Sequence, residues 1–175
     1  MNYFELFNMP TSFDVDLTVL AETYKSLQRL THPDKFASGS DQDKLVALQK
    51  NSQVNDAYSV LKSPLSRAEY MLSLRGIEMQ HEQQTIKDGA FLMQQMEWRE
   101  QLAEIEEQAD PLDELEKLED TIKQAIKAEL GQLKALLESE QSQAAQQAAD
   151  LIRKLKFLYK MLAEIDLKED VLSDF

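Results

Sequence analysis

The chain has 175 residues, 43% of them hydrophobic, with a formal net charge of −13, four Gly, four Pro and no Cys. That apolar share supports a packed core and argues against wholesale disorder, and the scarce Gly and Pro favour long helices over sheet. Without cysteine there is no disulfide, thiolate metal site or Cys nucleophile, and His32 and His81 are too few for a His-rich metal centre.

The N-terminal run Met-Asn-Tyr-Phe-Glu-Leu-Phe has no basic stretch and no long apolar run, so neither a signal nor a transit peptide is expected. Residues 2–8 predict a short helix carrying Tyr3, Phe4, Leu6 and Phe7, ended by Pro10. Asp16 suits the N-cap of a second helix reaching about Leu30. Leu17, Leu20, Tyr24, Leu27 and Leu30 recur there at helical spacing and predict its buried stripe. The run His32-Pro33-Asp34-Lys35-Phe36-Ala37-Ser38-Gly39-Ser40 interrupts the pattern, because Pro33 and Gly39 forbid a continuous helix. A third helix is expected from about Asp41 to Lys62, phased by Leu45, Leu48, Ser52, Asn55 and Leu61, with Val54, Ala57 and Tyr58 beside them. Ser63-Pro64 stops it, and Pro64 fits the first turn of a short helix that ends near Leu74 and is closed by Gly76.

Charge changes at that point. Residues 1–76 carry 8 Lys+Arg against 9 Asp+Glu, whereas residues 77–175 carry 11 against 23. The shift predicts two units joined by a polar linker over 77–87, which includes His81 as an exposed residue without a role. Three long helices then follow, over about 88–108, from Asp110-Pro111 to about Leu137, and over about 143–168. Leu115, Leu118, Ile122, Ile126, Leu130, Leu133 and Leu137 give the core stripe of the middle helix, and Leu151, Leu155, Leu158, Leu162 and Ile165 that of the last. Short connections between long helices make neighbours antiparallel, hence a three-helix bundle. No run of about 18 apolar residues exists to span a membrane. The acidic second unit also disfavours nucleic acid, which needs a positive footprint.

The first helix of that bundle has an unusual apolar distribution. At 100° per residue Phe91, Trp98, Leu102 and Ile105 share one face, as a core stripe should. Leu92, Met93 and Met96 fall on the far side among Glu97, Glu100, Glu104 and Glu107. In the last helix Phe157 stands off the leucine stripe. An apolar cluster bordered by carboxylates reads as a contact surface, for a partner or for the other unit and the linker.

A His-Pro-Asp tripeptide between two helices of a hairpin is the most informative motif. Tyr3-Phe4-Glu5-Leu6-Phe7 precedes it, and Asn55-Asp56-Ala57-Tyr58-Ser59-Val60-Leu61, Pro64 and Arg67-Ala68-Glu69-Tyr70 follow. Taken alone, His32 and Asp34 are more simply turn chemistry, with the carboxylate capping local backbone. In this context residues 1–76 resemble a J domain. The resemblance implies that His32, Pro33 and Asp34 contact the nucleotide-binding domain of a DnaK-type chaperone. It also implies a basic face on the second helix, here only Lys25 and Arg29 with Lys35 in the loop, diluted by Glu22; that thinness suggests a specialised partner chaperone.

A J domain followed by an acidic bundle is similar to HscB-type co-chaperones over essentially the whole chain. The landmarks are the loop at 32–40, Arg67-Ala68-Glu69-Tyr70-Met71-Leu72-Ser73-Leu74, Ala90-Phe91-Leu92-Met93, Arg153-Lys154-Leu155-Lys156-Phe157-Leu158 and the terminal Asp174-Phe175. The resemblance implies an all-α, non-enzymatic protein whose bundle binds an IscU-like iron–sulfur scaffold and whose J domain delivers it to an HscA-type chaperone, stimulating that partner's ATPase. Its scaffold-binding positions fall on Leu92, Met93, Met96, Glu97, Glu100, Glu104 and Phe157. Eukaryotic members often carry a Cys-rich N-terminal extension, so a bacterial, cytoplasmic protein is expected, working as a monomer without cofactor or metal. Two other readings stand beside this one: a J-domain protein for an unrelated client, and a structural protein that oligomerises through its long helices.

Overall fold

The computed structural model describes residues 1–79 and 86–174, and every regular element among them is helical. His81 and Phe175 lie outside the described residues, as does much of the expected linker. The chain divides into two compact units, Met1–Gly76 and Ile77–Phe175.

In the first unit α1 spans Tyr3–Leu6, opened by a capping box in which Asn2 and Glu5 satisfy each other's backbone N–H groups. It ends before Pro10 is reached, because Asn8 turns into the left-handed region at φ 53°; asparagine tolerates that conformation as most residues do not. Helix α2 runs Leu17–Thr31, and the Asp16 carboxylate accepts from the N–H groups of Thr18 and Val19. Helix α3 runs Asp41–Leu61 behind a Ser40–Asp43 capping box. Helix α4, Pro64–Leu74, begins on its proline and ends at Gly76, whose φ of 86° is a glycine conformation.

Phe4, Phe7, Phe13, Leu20, Val54, Ala57, Leu61, Ala68 and Leu72 form the core of this unit. Full burial of each large side chain contributes about 1.5–3 kcal/mol. Tyr3 and Tyr70 stack with ring centroids 4.6 Å apart, and the Tyr3 N–H donates to the Tyr70 hydroxyl at 2.9 Å, which fastens α1 to α4. Arg67 is buried with Nη1 donating to the Leu61 carbonyl at 2.7 Å and its guanidinium 5.2 Å from the Phe13 ring. Burial pulls its pKa below the ordinary value, and the charge of Asp14 pulls it back up.

Two expected stripes are corrected here. Of the α2 stripe only Leu20 is fully buried; Tyr24 and Leu27 are half-buried, and Leu17 and Leu30 are exposed. Leu30 instead lines an apolar groove of about 630 Å³ with Leu27, Phe36 and Val46. The α3 phase is also different. Leu45, Leu48, Ser52 and Asn55 face solvent, while Ala47, Val54, Ala57 and Leu61 face the core. Small residues on that face let α2 approach closely, and apolar weight alone had favoured the leucines.

In the second unit α5 spans Gly89–Ala103 and passes into a 3₁₀ turn at Ile105–Glu107, so the expected single helix to 108 is shorter and tighter at its end. Helix α6 spans Pro111–Glu138. Helix α7 spans Ser142–Ser173, five residues beyond the expected end; Asp166 to Val171 lack a core period but contain no helix breaker. Helices α6 and α7 make the main interface. Leu115, Leu118, Ile122, Ile126, Leu133 and Leu137 of α6 are buried there with Leu151, Ile152, Leu155, Leu158, Met161 and Ile165 of α7. Leu130 and Leu162 are only half-buried. The alanines at 144, 145, 148 and 149 are buried as well, so the Gln/Ala-rich start of α7 belongs to the core.

Candidate functional site

Two surfaces carry the predicted residues, one in each unit. The first is the tip of the α2–α3 hairpin. Thr31 closes α2, and His32 leaves the helix at φ −62°, ψ 131°, the extended conformation that a following proline imposes. Pro33 then opens a single 3₁₀ turn over Pro33–Phe36. The Asp34 N–H donates to His32 Nδ1 at 3.2 Å, and the Asp34 carboxylate lies 3.5 Å from the same nitrogen. A neutral ring that accepts through Nδ1 carries its proton on Nε2, which is then a donor. The two side chains are 50% and 93% exposed, so the tip holds a rigid backbone while presenting one ring and one carboxylate to solvent. The turn chemistry and the presentation of these groups are therefore one arrangement.

Lys25 and Arg29 are exposed on α2. With position 32 they recur at intervals of four and three, so they form one line on the helix leading to the tip. Lys35 is exposed on the turn itself.

A polar ladder joins the two arms of the hairpin below the tip. The Tyr24 ring stacks on Tyr58 at 4.1 Å, and its hydroxyl donates to Asn55 Oδ1 at 2.6 Å. Asn55 Nδ2 donates to Asn51 Oδ1 at 3.3 Å, and Asn51 Nδ2 donates to the Thr31 hydroxyl at 3.2 Å, one residue from His32. Sequence reasoning took Asn55 as a marker of helix phase and passed over Asn51 and Thr31. Their signal was two amides four residues apart on α3, which is weak without knowing what they face.

The second surface lies on α5 and α7. Trp98 and Ile105 are buried, with Phe91 and Leu102 half-buried, and these fix the core side of α5. On the opposite side Leu92 is 38%, Met93 67% and Met96 71% exposed, with exposed Glu97, Glu100 and Glu104 beside them. Three ion pairs set α5 against α7: Asp88–Lys154 at 2.6 Å, Arg99–Glu164 at 3.1 Å, and Glu106–Lys168 from the following turn. Both partners climb in sequence together, so the two segments run parallel, as the first and third members of an up-down-up bundle must. That register puts Phe157, half-buried on α7, at the level of Phe91 and Leu92 on α5, about one turn before Met96. Lys154 also lies 5.7 Å from the Phe91 ring. The Asp88 pKa is lowered, first by its hydrogen bond to Lys154 and then by accepting from the Phe91 N–H as the N-cap of α5.

One further carboxylate group, Glu119, Asp166 and Glu169, has oxygens within 4.8 Å of one another. Lys123 pairs with Glu119 at 2.5 Å, so the group already carries a counter-charge.

Residues 87–166 match the family model described as the HSCB C-terminal oligomerisation domain. The chain is 61% identical over its full length to the full length of a protein named co-chaperone protein HscB homolog from Pseudoalteromonas atlantica. Among solved structures it is similar to the chaperone HscB from Vibrio cholerae, with a TM-score of 0.88 and 44% identity, covering 98% of this chain and 99% of that one. It is also similar to the human co-chaperone protein HscB, with a TM-score of 0.85 and 32% identity, covering 97% of this chain and 82% of that one. Full-length identity of this order, with the His-Pro-Asp tip and the acidic bundle in one chain, places the protein in the HscB family of J-domain co-chaperones.

Proposed function

We propose that the protein is a two-site adaptor in iron–sulfur cluster assembly. The tip formed by His32, Pro33 and Asp34, with Lys25, Arg29 and Lys35 alongside, engages an HscA-type chaperone of the DnaK class and stimulates its ATP hydrolysis. The face formed by Leu92, Met93, Met96 and Phe157, oriented by Glu97, Glu100 and Glu104, binds an IscU-like scaffold protein. The division of labour follows the two units, 1–76 for the chaperone and 88–175 for the scaffold. The chemistry of ATP hydrolysis belongs to the partner, whose conformational equilibrium the J domain biases by preferring one state. A bacterial cytoplasm is the compartment that suits this role.

The observation that carries the reading is the exposure of groups that the core does not use: an ionisable pair at the hairpin tip, and two methionines and a leucine on the solvent side of a helix whose opposite side supplies the core. Apolar side chains on the second surface supply affinity, and the carboxylates select a partner with a basic rim.

The test is steady-state ATP hydrolysis by the chaperone with this protein, the scaffold, or both. Synergy that requires both His32 and the Leu92/Met96/Phe157 face is expected. Stimulation that needs His32 but ignores the scaffold would overturn the iron–sulfur assignment. A second reading, self-association through the bundle, is favoured by the description of the matching family model. The acidic surplus of residues 77–175 opposes it, because like charges repel across an interface between copies. Sedimentation over a concentration series separates the two, and a monomer is expected.

A further inference from the structure

We propose that Met93 and Met96 form a reversible oxidation site that converts the partner face of α5 from apolar to polar. Its consequence for binding rests on the scaffold reading above; its chemistry rests on geometry alone. Of the seven methionines, Met71, Met79 and Met161 are buried and Met9 is half-buried. Met1, Met93 and Met96 are the three exposed, at 87%, 67% and 71%. Met93 and Met96 stand three residues apart on one face of a well-formed helix, so both thioethers open to the same patch of solvent. The chain has no cysteine to intercept an oxidant first, which leaves exposed thioethers as its most readily oxidised side chains.

The oxidant is a hydroperoxide. The thioether sulfur attacks the peroxide's distal oxygen, the O–O bond breaks, a sulfur–oxygen bond forms, and water or an alcohol leaves. Sulfur gives up two electrons in the step. A sulfoxide reductase of the dithiol class returns two electrons and releases that oxygen as water.

The product oxygen is a strong acceptor in a neighbourhood of acceptors. Glu97, Glu100 and Glu104 carry carboxylates, the Gln94 amide already donates to Glu97, and Arg99 is held by Glu164. The carboxylates offer the new oxygen no donor, so water satisfies it. Docking an apolar partner would strip that water away and leave a buried polar group unpaired. Folding is untouched, because neither side chain belongs to the core.

The experiment treats the full-length protein with graded hydrogen peroxide, maps the sulfoxides by peptide mass spectrometry, and measures scaffold affinity and thermal unfolding on the same samples. Met93 and Met96 should oxidise with Met1, well ahead of Met71, Met79 and Met161. Scaffold affinity should fall by about tenfold or more with the thermal midpoint unchanged, and reductase treatment should restore it. A Met93→Leu/Met96→Leu variant, compared with its own untreated sample, should lose no affinity on treatment. Oxidation of the buried methionines at equal rates, or full affinity in protein oxidised at 93 and 96, overturns the inference. An equal loss of affinity in the leucine variant overturns it as well. Untreated protein that fails to bind scaffold sinks the scaffold reading and the binding half of this inference with it, while the map still decides which thioethers react.

Discussion

Tyr24 provides the most direct test of how the hairpin supports its tip. Replacing it by Phe deletes a hydroxyl that donates to Asn55 at 2.6 Å and accepts from Gln28 at 3.2 Å, but keeps the stack on Tyr58. Asn55 is exposed, so water takes over much of the lost bond. The loss should be about 0.5–1 kcal/mol. Tyr24→Ala also removes the stack, worth about 0.5–1.5 kcal/mol, and the half-buried ring surface. Because the site is open on one side, the total should fall near 2–3 kcal/mol, below the 3–5 kcal/mol typical of a fully buried aromatic. Urea unfolding measures the two losses, and amide exchange locates them. Faster exchange should appear in α2 and α3, while α6 and α7 keep their protection. The concentration of co-chaperone needed for half-maximal ATPase stimulation should rise in the same order, wild type, Phe, Ala. Equal stability of the two variants, or exchange changes centred on α6 and α7, would refute the assignment of Tyr24 to the brace.

Other outcomes follow from single features of the structure. His32→Gln should lower ATPase stimulation more than tenfold with no change in melting temperature, since the ring is half exposed and caps only a 3₁₀ turn; calorimetry and the ATPase assay check this together. Leu48→Ala should cost under about 0.5 kcal/mol, whereas Leu61→Ala should cost about 2–5 kcal/mol, a contrast in denaturation midpoints that reports the true phase of α3. The Asp88 carboxyl should titrate below the ordinary aspartate range in a proton–carbon NMR titration, as its bonds to Lys154 and the Phe91 N–H require. The sign follows from linkage: the carboxylate's contribution is complete above the unfolded value near 3.9 and disappears as pH falls through the lower folded value. An ordinary titration midpoint would mean that the Asp88–Lys154 bond is not formed in solution.

Much of this architecture was legible in the chain. Asp16, Pro64 and Pro111 each open the helix that local chemistry assigned to them, and the core stripes of α6 and α7 follow their leucines closely. The failures have separate causes. Leu45 and Leu48 outweigh Ala47 and Val54 on any hydropathy scale, yet close packing of two helices favours the smaller residues and leaves the leucines in water. The end of α5 carries no Gly or Pro to announce the tightening at Ile105, and the continuation of α7 past residue 168 needs only helix propensity, which periodicity cannot see. At the candidate surfaces, the exposed set on α5 followed from helical phase. The half-burial of Phe157 did not, because the periodicity of α7 alone does not say which neighbour covers a residue off its stripe.

The arrangement of α5 has a consequence for how such a protein changes over generations. Trp98 and Ile105 secure the helix on one side, and Leu92, Met93 and Met96 meet solvent on the other. Substitutions on the solvent side therefore leave the fold largely unaffected, and substitutions on the core side leave the exposed side chains unaltered. On the proposed partner face, preference is free to drift while the helix beneath stays constant, and a lineage can retune one interaction without first having to rescue its stability.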